Sequence, residues 1–209
     1  MRYIDLTLDY SAAVAGFNIS PARDLETDGW NASTLQIYSH AGTHMDAPVH
    51  FGVSNKTIDQ FEVSEFVCDR TWVINLSFVT DSYLINISDL GDFVNRINLG
   101  DAVLFRTDWY KKLGTDAYRN KLPRISEDLA RWLVQKGVKL VGVEPQSVAD
   151  VNNLPEVTLI HEILLDKIII VEGLCNLDQL QTDLVTFIAL PLKIKGGDGA
   201  PCRAIAIEK

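Results

Sequence analysis

The alternation of apolar and polar residues predicts a fold dominated by β-strands. Residues 2–8 and 35–40 alternate with a period of two, which is typical of strands that bury one face. Residues 72–79 and 102–105 are instead continuous runs rich in β-branched and aromatic side chains, and such runs are typical of inner strands covered on both faces. We therefore expect these two runs to lie in the core of a sheet.

Two helices are predicted in the middle of the chain. Ser88 and Asp89 can cap a short helix that runs through residue 97 and stops at Gly100. Ser126 is followed by two acidic residues and then by apolar residues at helical spacing, up to Gly137. An N-cap, acids in the first turn and a terminal glycine are typical of an amphipathic helix packed on a sheet.

The second half of the chain repeats strands around one more helix. Residues 139–143 and 168–171 read as strands on either side of a helical segment at 157–165, which predicts a βαβ unit. Strand patterns return at 184–193 and 203–207, with a glycine-rich turn between them. The order of elements predicts one α/β domain over residues 1–209.

The composition excludes two classes of partner. The net charge of −9 opposes binding to nucleic acid or to an anionic membrane, because that affinity depends on lysine and arginine. No apolar stretch approaches the roughly 20 residues of a membrane span. The chain also opens directly into an alternating pattern without a signal-peptide core. We expect a cytoplasmic protein that acts on a small molecule.

One segment concentrates the residues that carry chemistry. Residues 40–51, HAGTHMDAPVHF, hold three of the four histidines and one aspartate. Imidazole and carboxylate are ligands preferred by zinc and accepted by manganese or iron, and the absence of cysteine here disfavours a purely structural zinc site. Where this stretch is extended, four candidates share one face because their numbers have the same parity. They are His40, His44, Asp46 and His50.

Two distant residues are further candidate ligands. His161 precedes Glu172 by eleven residues, with the predicted helix and the start of a strand between them. Glu172 ends a very apolar strand, where a carboxylate needs a cationic partner. Aromatic residues near the motifs, above all Phe51 and Trp109, can wall a pocket for a planar substrate, although the alternative is that they are core residues.

The segment at 40–51 also carries a family resemblance. It matches in full the H-x-G-T-H-x-D-x-P-x-H-F signature of the cyclase-like metal hydrolases, a family that includes kynurenine formamidases and isatin hydrolases. The chain resembles that family along most of its length. Supporting segments lie at residues 105–109, 142–147, 172–177 and 198–203, and around His161.

The resemblance implies a fold and a set of roles. The fold is a swivelling β/β/α single domain with a mixed sheet and flanking helices, assembled as a homodimer or homotetramer. His40, His44 and Asp46 would bind a divalent metal, zinc ahead of manganese. His161 and Glu172 would complete a second position that Asp46 can bridge, so one or two ions are open. His50 would be the catalytic acid and base, with a further metal ligand as the alternative.

Three functions follow from the resemblance. The leading one is hydrolysis of a formamide or cyclic amide C–N bond, above all the arylformamidase reaction on N-formylkynurenine. The second is ring opening of isatin, a hydantoin-like compound or a lactone. The third, from a different class, is a metal-binding sensor without turnover, against which the complete set of ligands and His50 argues.

Overall fold

The computed structural model describes all residues 1–209 and confirms a mixed α/β fold. Its strands are β1 (Arg2–Asp5), β2 (Phe17–Arg23), β3 (Ala32–Ile37), β4 (His44–Asp46), β5 (Val67–Asn75), β6 (Leu84–Ile85), β7 (Ala102–Arg106), β8 (Arg124–Ile125), β9 (Leu140–Val143), β10 (Ile169–Glu172), β11 (Leu184–Pro191) and β12 (Gly199–Glu208). Its α-helices are α1 (Leu25–Asp28), α2 (Phe93–Arg96), α3 (Asp116–Asn120), α4 (Glu127–Lys136) and α5 (Leu154–Leu165). One-turn 3-10 helices cover Pro48–Phe51, Ile58–Gln60, Val63–Phe66, Ile87–Leu90, Trp109–Lys112 and Leu177–Gln179.

Seven strands close into a barrel in the order β12-β11-β5-β7-β9-β10-β4. Strands β5, β7, β9 and β10 are parallel, and the other pairings are antiparallel. The short β4 completes the ring, because it pairs with β10 on one side and with the first residues of β12 on the other. Closure leaves the barrel strands without a free edge, while β1 pairs with the end of β12 outside the ring.

The parallel strands are buried on both faces, as the continuous apolar runs predict. Val73 and Leu104 belong to the cluster that fills the barrel, together with alanines of β11 and β12. Their sequence neighbours Ile74 and Phe105 belong to a second cluster that packs under the helices α4 and α5. Side chains alternate between the two clusters because successive residues of a strand point to opposite faces.

The predicted helix that follows Ser126 is confirmed as α4. The Ser126 hydroxyl accepts a hydrogen bond from the Leu129 N–H at 3.2 Å, and Gly137 ends the helix in the left-handed region. The predicted βαβ unit is also confirmed, since β9 and β10 are parallel neighbours connected through α5.

The predicted helix at 88–97 is wrong as a single element. The structure has one 3-10 turn before Gly91 and the four-residue α2 after it. Gly91 has φ of 52° and ψ of −131°, a backbone conformation outside both helical regions that glycine alone adopts without strain. This interruption explains why the apolar spacing does not produce a continuous helix.

Strands β2 and β3 form a separate two-stranded hairpin outside the barrel, and most of its side chains are exposed. The predicted strand at 35–40 is found at residues 32–37, but it is exposed rather than half-buried. Its partner β2 places Ile19 opposite Leu35 and Phe17 opposite Ile37. The helix α1 lies at the tip of this hairpin.

Two further features concern the whole chain. No helix combines the length and the apolar character that crossing a membrane requires. The three cysteines, Cys68, Cys175 and Cys202, are free and buried.

Asp101 connects the start of β7 to the middle of β5 through a buried carboxylate. It accepts hydrogen bonds from Trp72 Nε1 at 2.8 Å, from Arg70 Nε at 3.0 Å and from the backbone N–H of Asn98 at 3.0 Å. Burial opposes ionisation, but these donors outweigh it and lower the pKa of Asp101. The ionised form is therefore the one that the folded state stabilises.

We expect Asp101→Asn to destabilise the protein by about 1–3 kcal/mol at pH 7, because buried donors lose a charged acceptor. A carboxyl whose pKa is lowered by folding stabilises fully above its unfolded value of about 3.9. The difference from wild type should therefore shrink as the pH falls below that value. Urea denaturation at pH 7, 5 and 3.5 measures it, with the exposed Asp69→Asn on the same strand as control. A difference independent of pH would contradict the assignment.

Candidate metal centre and its cavity

The antiparallel pairing of β4 with β10 brings two predicted ligands together. His44 and Glu172 are directly opposite in the register, so their side chains leave the same face. His44 Nε2 lies 3.2 Å from Glu172 Oε2. Asp46 is two residues further along β4, on the same face, and its Oδ1 lies 3.6 Å from His44 Nε2. The prediction that even-numbered residues of this segment share one face therefore holds within β4, for His44 and Asp46.

The helix α5 supplies the fourth member of this group. His161 Nε2 lies 3.4 Å from Glu172 Oε1 and 3.6 Å from Asp46 Oδ2. Ligands about 2.0–2.2 Å from a tetrahedral zinc ion are separated from one another by roughly 3.3–3.6 Å. The spacing of the donor atoms is thus that of a metal coordination shell.

Backbone carbonyls fix the orientation of both imidazoles. His44 Nδ1 lies 3.0 Å from the Gly42 carbonyl oxygen, and His161 Nδ1 lies 2.7 Å from the Val157 carbonyl oxygen. A carbonyl oxygen only accepts, so each Nδ1 carries a hydrogen and donates it. Each Nε2 is then directed at the carboxylates, which is the arrangement of metal-binding histidines.

Two polar atoms of the group have no hydrogen-bond partner although they are buried. They are His44 Nε2 and Asp46 Oδ2, and both residues are 1% exposed. Glu172 is held in place by the Val148 N–H, which donates to its Oε1 at 2.8 Å. Buried polar atoms are nearly always satisfied, and a cation would satisfy both atoms here. The donor set fits a divalent metal ion.

The carboxylates make this centre attractive to positive charge. Burial disfavours protonation of His44 and His161, yet Glu172 and Asp46 outweigh it and raise the pKa of both histidines. Burial likewise opposes ionisation of Glu172, but the two histidines hold its pKa well below the usual range.

His40 lies on the other side of Asp46. Its Nδ1 is 2.8 Å from Asp46 Oδ1, and its Nε2 is 3.0 Å from Asp198 Oδ2. Burial opposes protonation, but these two carboxylates raise the pKa of His40 to about 9. Asp46 is shared between two groups of donors, because His40, Asp46 and His50 also converge. The resemblance groups His44 with His40 and Asp46, but His44 Nε2 lies closer to Glu172 Oε2, at 3.2 Å, than to Asp46 Oδ1, at 3.6 Å.

His50 reaches the centre from a helical turn and not from an extended segment. It lies in the 3-10 helix Pro48–Phe51, and its ring stacks on His40 with centroids 3.8 Å apart. Its Nδ1 is 3.8 Å from Asp198 Oδ2. Burial lowers the pKa of His50, and the neighbouring His40 and His161 add to that effect. A neutral imidazole able to accept a proton therefore borders the donor group.

The centre forms the floor of a cavity of about 690 Å³. Four histidines and Glu172 line it, and Phe51 lines it as the sequence predicts. The Phe51 ring stacks on the His161 ring with centroids 4.3 Å apart. It therefore holds the His161 imidazole in place and also presents an apolar surface to the cavity. The volume is in the range of about 300–1,000 Å³ that is typical of small-molecule sites.

Trp109 does not line this cavity, which corrects its prediction as a substrate-binding residue. It is 2% exposed, and its indole N–H donates to the Tyr118 carbonyl oxygen at 3.0 Å. The 3-10 turn Trp109–Lys112 directs the ring into a small cluster with Tyr118 and Leu122, behind the cavity wall. Tyr118 itself lines the cavity. Closeness in sequence to a motif did not determine where the side chain points.

Two residues were not singled out in the sequence, one beside the donor group and one on the cavity wall. Asp198 lies in a segment that resembles the family, but its contact with His40 spans 158 positions and only the fold reveals it. Arg119 lines the cavity from α3 and belongs to no recognisable motif. No local signal marks it.

Comparison with known proteins agrees with this geometry. The Cyclase family model matches residues 4–150. The kynurenine formamidase of Erythrobacter litoralis (strain HTCC2594) is 30% identical over 178 residues, which are 85% of this chain and 77% of that protein. The kynurenine formamidase of Bacillus anthracis is 29% identical over 180 residues, covering 86% of this chain and 81% of that protein.

A solved structure shares the whole fold. Isatin hydrolase A from Ralstonia solanacearum superposes with a TM-score of 0.87 at 26% identity, covering 98% of this chain and 91% of that chain. The family match covers most of the sequence, including the segment that supplies His40, His44, Asp46 and His50. This chain therefore belongs to the cyclase family of metal-dependent hydrolases.

Proposed function

We propose that this protein is a metal-dependent hydrolase that cleaves the C–N bond of an aryl formamide, with N-formylkynurenine as the leading substrate. The observation that carries the proposal is the buried donor group at the floor of a cavity large enough for such a molecule. The kynurenine formamidases at 29–30% identity support the choice of substrate. We place the reaction in the cytoplasm, which the three free thiols support.

Five residues would hold the metal, which we propose to be zinc, with manganese as the alternative. The position of Asp46 between two donor groups allows one or two ions. A divalent ion supplies Lewis acidity there, which lowers the pKa of water and polarises a carbonyl group. The ligands are His40, His44, Asp46, His161 and Glu172.

His50 is the residue that we assign to proton transfer. Its neutral imidazole can take a proton from water and return it to the leaving nitrogen. Asp198 stabilises the protonated form from 3.8 Å, and the stacking on His40 fixes the ring. Phe51 presents an aromatic face beside it, against which the ring of an aryl formamide can pack.

Ring opening of isatin is the second candidate reaction. The whole-chain superposition on isatin hydrolase A, at 26% identity, favours it specifically. Isatin contains a cyclic amide, so the same donor group and the same proton transfer would serve. The substrates differ in size and charge, and an assay on both distinguishes them.

We further propose that the protein works as a homodimer, or as a tetramer of such pairs, with the hairpin β2–β3 as contact. The facing pairs Phe17–Ile37 and Ile19–Leu35 form an apolar face, while their even-numbered neighbours are mostly polar. Ile19 and Leu35 are each 55% exposed. A lone two-stranded hairpin is only marginally stable, and a second copy of the chain would cover this face.

The metal and the substrate are tested together. Purified protein should contain one or two equivalents of zinc or manganese per chain by elemental analysis, and N-formylkynurenine hydrolysis should stop with chelator and return with metal. Isatin, a hydantoin and a lactone form the comparison panel. Metal-loaded protein that opens isatin alone would support the second candidate, and one that hydrolyses none would support a sensor. Protein that retains no metal under any loading would overturn the proposal.

His50→Ala should retain the metal and lose most turnover, by about 10²–10⁴-fold, which is the usual contribution of general acid–base catalysis. Asp46→Ala should lose metal as well, because Asp46 contacts both donor groups. Metal content and kcat are measured on the same preparations. Loss of metal from the His50 variant would make His50 a ligand, and full turnover in that variant would remove it from the mechanism.

The double substitution Ile19→Asp with Leu35→Asp should yield single chains, because it places two like charges on the apolar face of the hairpin. Light scattering after size-exclusion chromatography should give at least twice the mass of one chain for wild type. Leu99→Asp, at a position that is 84% exposed outside the hairpin, is the matched control. A wild-type monomer, or an unchanged mass in the double variant, would contradict the assignment.

A further inference from the structure

Arg119 differs from every other arginine of the chain. The sequence contains nine arginines, and eight of them form a salt bridge with a carboxylate of the same chain. Arg119 forms none, in a chain whose acidic residues outnumber its basic ones by nine. It is also the arginine that lines the cavity above the metal centre.

The position of Arg119 is set by its buried neighbour. Tyr118 is 6% exposed and donates its hydroxyl hydrogen to the Glu144 carbonyl oxygen at 3.2 Å. The Tyr118 carbonyl oxygen accepts the indole N–H of Trp109 at 3.0 Å. These two contacts hold the short α3 against the wall, and Arg119 follows directly at the cavity surface.

Two neutral amides orient the guanidinium without cancelling its charge. Arg119 Nη1 donates to Asn152 Oδ1 at 2.9 Å and to Asn120 Oδ1 at 3.2 Å. The nearby Asp116 is engaged elsewhere, because its Oδ1 accepts a hydrogen bond from Asn120 Nδ2 at 2.6 Å. The hydrogen bonds of Arg119 to protein use Nη1 alone, so Nε and Nη2 can pair with a carboxylate.

We propose, on the basis of the function proposed above, that Arg119 binds a carboxylate of the substrate and selects anionic aryl formamides over neutral ones. A carboxylate that enters this cavity would otherwise compete for the metal on the floor. A fixed cation on the wall draws the carboxylate to itself and leaves the formyl group to approach His50 and the donor group. Arg119 is thus a specificity-determining residue, remote from the bond that breaks.

The test compares two substrates that differ in one charge. They are N-formylkynurenine and its carboxamide, in which the carboxylate is replaced by a neutral amide of similar size. Arg119→Gln should raise KM for the acid by roughly tenfold, which is the change in affinity expected from the loss of one charge-assisted hydrogen-bonded pair. The kcat of the variant should stay within about twofold of the wild-type value. KM for the carboxamide should not change. Arg119→Lys should recover part of the loss, since it retains the charge without the planar fork.

Arg131→Gln is the matched control. Arg131 lies on α4 outside the cavity, where it pairs with Glu127, so both KM values should equal those of wild type. If Arg119→Gln raises KM equally for the acid and the carboxamide, Arg119 only shapes the wall and the proposal fails. Unchanged KM values for both substrates would also overturn it and leave Arg119 a solvated surface residue.

A second measurement separates this proposal from the function on which it rests. If wild type hydrolyses neither substrate, calorimetric titration of metal-loaded protein with benzoate replaces the assay. Binding of benzoate roughly tenfold weaker in Arg119→Gln than in wild type would support a carboxylate site even though the proposed reaction is wrong. Equal binding by both proteins, or no binding by either, would overturn the proposal.

Discussion

The structure depends on two carboxylates, Asp46 and Glu172, that are buried at one end of a closed barrel. Burying an ionised carboxylate is costly unless positive charge and hydrogen bonds compensate it. The compensation comes from His40, His44 and His161, while the fourth histidine, His50, stacks on the His40 ring. The polar residues of the centre are therefore mutually required, and a divalent cation is the group that satisfies all of them.

The barrel explains why these residues can meet. Antiparallel pairing of β4 with β10 fixes His44 opposite Glu172, and the crossover through α5 returns His161 to the same end. The start of β12 flanks β4 on its other side, which brings Asp198 to His40. Four of the predicted ligands are thus positioned by the main-chain hydrogen bonds of strands and of α5, while His40 lies in the turn before β4.

Sequence patterns predicted the elements whose formation depends on residues close together in the chain. Continuous apolar runs identified β5 and β7, and the caps identified α4, because burial on two faces and unsatisfied helix ends constrain the residues themselves. The role of Asp198 and the orientation of Trp109 were beyond such patterns, since each depends on contacts between distant segments or on the direction of one turn. The exposure of β3 was missed for the same reason: alternation indicates an apolar face but not what covers it.

The short strand β4 couples closure of the barrel to assembly of the centre. Only three residues join β10 to β12 there, and all three are buried. Two of them, His44 and Asp46, also supply donor atoms to the centre. A substitution that displaces β4 would therefore disturb the ring and the donor geometry together, so the stability of the barrel and the affinity for a cation are linked through the same three residues.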